Sequence, residues 1–156
     1  MKSYQSFGAL ARALERVSLK LPDSLGAAME AAAVLVQETA KAEIGTYQAA
    51  DMGPFTSWAP LKESTVKEKR TLGYADDEND NPLLRTGEMR DSISHVYDWQ
   101  RFTFVVGATS EIAVYQELGT SRGIPPRPFL APALYRNIPE IRKIIGATIE
   151  STLAGK

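Results

Sequence analysis

Residues Gly123–Pro132 hold four prolines, at 125, 126, 128 and 132, and this stretch constrains the chain more than any other. Each proline fixes φ and lacks an N–H, so the segment cannot be a central strand of a sheet. The expectation is a stiff extended arm over residues 120–132. Such an arm loses little entropy when it docks. Arg127, between Pro126 and Pro128, offers a planar fork of donors to carboxylates or phosphates. Phe129 and Leu130 are apolar anchors beside it. The arm is either a docking element at a subunit interface or a strap over the protein's own core, and the residues leave both readings open.

The rest of the chain supplies helices and few strands. Phe7, Leu10, Ala11, Leu14 and Val17 mark an amphipathic helix over about 5–20. Pro22 interrupts the pattern, and Asp23 or Ser24 can cap a second helix running to about Thr46. That helix carries Leu25, Met29, Ala32, Leu35, Val36, Ala40 and Ile44. Its small-residue stretch Ala27–Val36 predicts packing on more than one face. Loops are expected at 50–62 and 73–82, separated by a short charged helix over 61–72 with Ser64 or Thr65 near its start. Thr86 can cap a helical turn through Arg90. Ile93–Tyr97 and Arg101–Gly107 read as a β-hairpin around Asp98-Trp99-Gln100. Ser110 can cap a helix over 111–118, ended by Gly119 in the left-handed conformation. A last helix is expected over 137–153, with Ile141, Ile144, Ile145, Thr148, Ile149 and Leu153 on its apolar stripe. The fold class is therefore α+β: a small antiparallel sheet, the hairpin 93–107 plus short strands, packed against a long N-terminal and a C-terminal helix. Two or three strands cannot form a large sheet alone, so helices must cover them or neighbouring subunits must extend them.

Composition removes several functional classes. The 156 residues suit one domain, residues 1–156. With 44% hydrophobic and 24% charged residues, the chain reads as an ordinary globular domain. No apolar run is long enough to span a membrane. Met1-Lys2-Ser3-Tyr4 lacks the features of a secretory leader. The absence of cysteine excludes disulfides and thiolate chemistry, and one histidine, His95, excludes a multi-histidine metal site within a subunit. The net charge of −1 is low for a wholesale nucleic-acid binder. The charge is split, however. Residues 1–119 carry 12 basic and 17 acidic groups, whereas residues 120–156 carry 6 and 2.

Candidate chemistry is sparse. Asp77, Asn79, Asn81 and Glu88 have nearly the spacing of a calcium loop, but Pro82 stands where that loop needs glycine for its turn. The run 76–81 therefore reads as a solvated, mobile surface loop. Ser64 and Lys67 have the spacing of a serine–lysine nucleophile without the accompanying motifs, and read as a solvated helical face. Gly119–Gly123 lacks the lysine and spacing of a phosphate loop. His95, with Asp91 or Asp98 near in sequence, is the only basis for a hydrolase. Arg122, Arg127, Arg136, Arg142 and Lys143 are the basis for a DNA-binding module, which would show salt-dependent affinity.

Four stretches occur in an order that resembles a known family. They are Trp58-Ala59-Pro60-Leu61 with Ser64-Thr65 and Lys67–Arg70; Pro82-Leu83-Leu84-Arg85-Thr86-Gly87-Glu88-Met89-Arg90-Asp91-Ser92-Ile93; Tyr115-Gln116-Glu117-Leu118-Gly119-Thr120 after Val106-Gly107; and Ile124–Leu134. In this order the chain resembles the head–tail joining, or tail-completion, proteins of tailed bacteriophages, and is similar to the virion-morphogenesis proteins of Mu-like phages. The resemblance covers about residues 55–135. It implies a non-enzymatic structural subunit of the virion neck or upper tail, without cofactors or metals. Such subunits form a ring, usually sixfold, that meets a head-completion or stopper protein and a tail terminator or tail-tube protein. DNA passes through the ring without sequence-specific binding. A tail terminator that stops tube polymerisation is a close variant. The resemblance also implies that Leu84, Met89 and Ile93 set the core beneath the hairpin, that Gly87 and Gly119 permit tight turns, and that Trp58 belongs to the structural framework. Tyr115, Arg122, Pro126, Arg127, Pro128, Phe129 and Leu130 would lie near subunit contacts. The charge split suits head-to-tail contacts around such a ring.

Overall fold

A computed structural model describes residues 5–48 and 50–155 of the chain. Met1–Tyr4, read above for a leader, lie outside the described residues. The elements are α1 (Phe7–Glu43), α2 (Glu63–Thr71), α3 (Glu88–Asp91), β1 (Ile93–Asp98), β2 (Thr103–Ala108), α4 (Glu111–Leu118) and α5 (Leu130–Leu153). The fold is α+β, with the β1–β2 antiparallel sheet packed against the long helix α1, which also packs on α5.

Helix α1 is one element, where the sequence suggests two. Pro22 sits inside it. A proline in a helix removes the hydrogen bond to the carbonyl four residues earlier. Here Pro22 and Ser18 are both exposed, so water can hydrate the freed carbonyl. The same holds for Pro139 and Tyr135 in α5. The N-terminus of α1 is capped by Ser6, whose Oγ accepts from the Ala9 N–H at 3.1 Å.

Helix α5 starts seven residues before the expected position, so the extended arm ends at Phe129. Pro132 lies in the first turn of α5, where its missing N–H would have no helical partner in any case. No side chain of the arm caps this helix. The cap comes from α4. Glu117 Oε2 accepts from the Phe129 and Leu130 N–H groups at 2.7 and 3.0 Å, and Oε1 accepts from Ala131 N–H at 3.0 Å. A carboxylate at a helix N-terminus satisfies orphan donors and complements the helix dipole.

The hairpin pairs Ile93 with Ala108 through to Asp98 with Thr103. Its turn is wider than expected and includes Phe102, which takes a positive φ of 49°. Within this turn Asp98 Oδ1 accepts from both the Gln100 and Arg101 N–H groups, at 2.9 and 3.1 Å. Trp99 at the tip lies over Gly26 of α1, where a Cβ would fall 2.0 Å from the indole ring. Small residues let the hairpin and α5 both approach α1: Gly26, Ala28, Ala32, Ala33 and Ala40 are buried.

The core joins Val36, Ala40 and Ile44 of α1 to Trp58, Met89, Ile93, Ala113, Phe129 and Ala133. Leu84 packs against it half-buried. Asn137 Nδ2 donates to Thr39 Oγ1 at 2.8 Å, and Arg136 reaches Glu43 at 3.4 Å. The order of these pairs makes α1 and α5 antiparallel. At 1.5 Å per residue, Leu153 comes level with about residue 23 of α1. The first part of α1 therefore projects past α5, with Phe7 and Leu14 exposed.

Candidate assembly surface

The proline arm is a strap over the protein's own core. Arg127 is 5% exposed and Phe129 fully buried. The Arg127 guanidinium donates to the carbonyls of Ala59 (3.2 Å from Nε, 2.9 Å from Nη2) and Pro60 (3.2 Å). Its backbone N–H donates to the Gln116 carbonyl at 2.7 Å. Trp58 Nε1 donates to the Pro128 carbonyl at 3.0 Å, tying the arm to the 50–62 loop. Pro128 and Leu130 are half-buried. Of the residues expected near subunit contacts, Tyr115, Arg122 and Pro126 are exposed, while Arg127 and Phe129 belong to the interior.

Gly119 ends α4 with φ 72° and ψ −179°. That differs from the ordinary left-handed cap, since its ψ is extended, in a region open essentially to glycine. A Cβ there would also stand 2.9 Å from the Ile124 carbonyl oxygen and the Pro126 nitrogen. Gly119 thus turns the chain and lets the arm fold back on it. Gly87, at φ 90°, serves as the N-cap residue of α3.

Among the large apolar side chains left exposed, two sets lie on the hairpin and on α4. On the hairpin, Val96 and Val105 face each other across the register on the outer side. They are 70% and 69% exposed. Among the described residues no third strand pairs with either edge of this sheet. Helix α4 turns its apolar residues outward: Ile112, Val114, Tyr115 and Leu118 are all exposed, and only Ala113 is buried. Large apolar side chains left exposed in this way are candidates for protein association.

The candidate catalytic and metal residues find other partners. His95 faces α1, with Nδ1 2.8 Å from Gln37 Oε1 and Nε2 3.1 Å from Glu30 Oε1. Asp91 pairs with Arg90 at 3.1 Å, and Asp98 caps the hairpin turn. The structure does not bring His95 together with either aspartate in a hydrogen bond. The acidic segment 76–81 is an exposed loop over 76–79 and is hydrogen-bonded back to α2. Lys69, buried, donates through Nζ to the carbonyls of Asp80 (2.7 Å) and Asn81. Its ammonium thus occupies the point where backbone oxygens converge. Arg70 Nε donates to the Asp76 carbonyl at 2.9 Å, and Asp76 Oδ1 accepts from Glu78 and Asn79 N–H groups. Asn81 closes the segment at φ 47°. Among the basic residues of the C-terminal third, Arg127 is buried, Arg136 reaches Glu43, and Lys143 lies 3.2 Å from Glu140.

Two features escaped the sequence reading. Glu117 acts as a cap across twelve residues of chain, a distance at which no local motif signals it. Glu43 is buried at the end of α1, and neither of its carboxylate oxygens accepts a hydrogen bond among the described residues. Desolvation pushes its pKa from 4.5 up to about 7; Arg136 opposes the rise and Glu117 adds to it.

The four stretches that carry the family resemblance all contribute to one groove of about 600 Å³. It is lined from α2 and its approach (Leu61 to Lys69), the 83–90 segment, Gln116 of α4, and the arm at Ile124, Pro125 and Arg127. Comparison of the chain with family models, with curated protein sequences and with solved structures finds no match in any of the three.

Proposed function

We propose that this chain is a structural subunit that works by assembling with copies of itself, as a ring of the phage neck or upper tail that completes the tail and joins it to the head. The observation that carries the reading is the open apolar surface: an edge-free-to-pair hairpin with Val96 and Val105 outward, and α4 with its apolar residues outward. One face of the two-stranded sheet packs on α1, and its outer face and edges, unpaired among the described residues, are free for a partner to cover or extend. The order of the four sequence stretches supports the phage assignment. The acidic first 119 residues and basic last 37 support heterologous, head-to-tail contacts, which close into rings when the rotation allows. In this reading the protein resides in the virion, meets a head-completion or stopper protein on one side and a terminator or tail-tube protein on the other, and performs no catalysis.

Negative-stain imaging of the concentrated protein tests the proposal. Closed rings with a central opening are expected. Compact particles of two-fold or dihedral symmetry, with no opening, would contradict it.

A further inference from the structure

The groove between α2, the 83–90 segment, α4 and the arm carries a surplus of positive charge that the chain does not neutralise. Six cations line it, Lys62, Lys69, Arg85, Arg90, Arg122 and Arg127, against the two anions Glu68 and Glu88. Several of these are already committed. Lys69 is held by carbonyls, Arg85 pairs with Glu68, and Arg90 pairs with Asp91. Lys62, Arg122 and Arg127 have no carboxylate partner among the described residues. Arg127 is the most telling of the three. It is 5% exposed, its Nε and Nη2 donate to backbone carbonyls, and its Nη1 makes no hydrogen bond among the described residues. A cation this deeply placed without a counter-charge is costly, and an anion entering the groove would relieve that cost.

The groove also has an apolar side, formed by Leu84, Met89, Ile112 and Ile124. Its volume lies in the range of sites that enclose a ligand. We propose that this groove is a docking socket for an acidic segment of another polypeptide, whose carboxylate meets Arg122 and Arg127 while a neighbouring apolar side chain covers Leu84, Met89, Ile112 and Ile124. A bare phosphate leaves the apolar side against water. A nucleic-acid strand brings a row of phosphates to a groove with three uncommitted cations and leaves its apolar side without an aliphatic partner. The acidic, partly apolar peptide matches both halves. The socket stands on the chemistry of the groove alone, so it and the ring reading can fail separately.

The test is a two-dimensional NMR titration of the full chain with three probes. These are the blocked peptide acetyl-Leu-Asp-Leu-Glu-Leu-amide, the same peptide with Asn and Gln in place of its acids, and inorganic phosphate. The acidic peptide is expected to shift the amides of Gly87, Arg122, Gly123 and Ile124 saturably. Its affinity should fall about tenfold or more in the Asn/Gln peptide and in Arg122→Glu, a change at an exposed position that leaves the strap intact. Three results would overturn the socket. They are no saturable shift at these amides, equal affinity for the Asn/Gln peptide, or phosphate binding at the same amides as tightly as the acidic peptide, which would make it a simple anion site.

Discussion

Glu43 and Glu117 are two carboxylates at the junction of α1, α4 and α5 with opposite circumstances. Glu117 receives three backbone N–H groups from the start of α5. Among the described residues Glu43 receives none, and its ion-pair partner is Arg136, at 3.4 Å. Because burial raises the folded-state pKa of Glu43 to about 7, the fold prefers its protonated form. Its contribution to stability is full below the unfolded value of 4.5 and is lost as pH rises through about 7. Thermal melts of the wild type and Glu43→Gln at a series of pH values should therefore diverge. The variant should gain on the wild type as pH rises through this window, and parallel curves would refute the assignment. Glu117→Ala removes the cap of α5 and leaves its first N–H groups unpaired, so a loss of about 1–2 kcal/mol is expected in denaturant titration. Gly119→Ala meets both a forbidden backbone region and a backbone collision, and should cost at least about 1–3 kcal/mol by the same measurement.

At the scale of elements, the arm shows how far local reasoning reaches. Its stiffness and its apolar anchors were readable from the prolines and from Phe129, and so was the choice between interface and strap. The decision between them depends on Trp58 and on the Ala59 and Pro60 carbonyls, about 70 residues away in sequence. No periodicity records that pairing. Helices α2 and α4 and the hairpin follow their sequence signals closely, because turn residues and strand alternation are local. The helix boundaries at Pro22 and Pro132 do not follow them. Proline leaves a helix unbroken where it falls in the first turn, as Pro132 does, or where the freed carbonyl can be hydrated, as at Pro22. The outward face of α4 was equally hidden. Its mixture of Ile, Val, Tyr and Leu reads as core until the position of Ala113 shows which side is buried. Trp58→Phe offers a check on the arm. Losing the indole bond to the Pro128 carbonyl should lower stability by about 1 kcal/mol, in addition to any packing loss, and should raise hydrogen exchange at the Arg127 amide. Unchanged exchange there would mean that the arm is held independently of Trp58.

For the whole molecule, the fold leaves unfinished parts: a sheet of two strands, a small helix with its apolar side in water, and the projecting start of α1. Natural proteins protect exposed strand edges with charge, twist or cover. On its outer face this hairpin also presents an exposed valine pair, which suits cover by another copy. The central claim is that this surface builds an assembly, and light scattering of the intact chain across concentration tests it most directly. The protein is run beside the double variant Val96→Lys, Val105→Lys, whose changes lie on the exposed face and should leave the melting temperature within a few degrees of the wild type. The account predicts that the wild-type mass climbs with concentration to a ring-sized multiple of the subunit, while the variant stays at the mass of one chain. Identical masses for the two proteins at every concentration would contradict it.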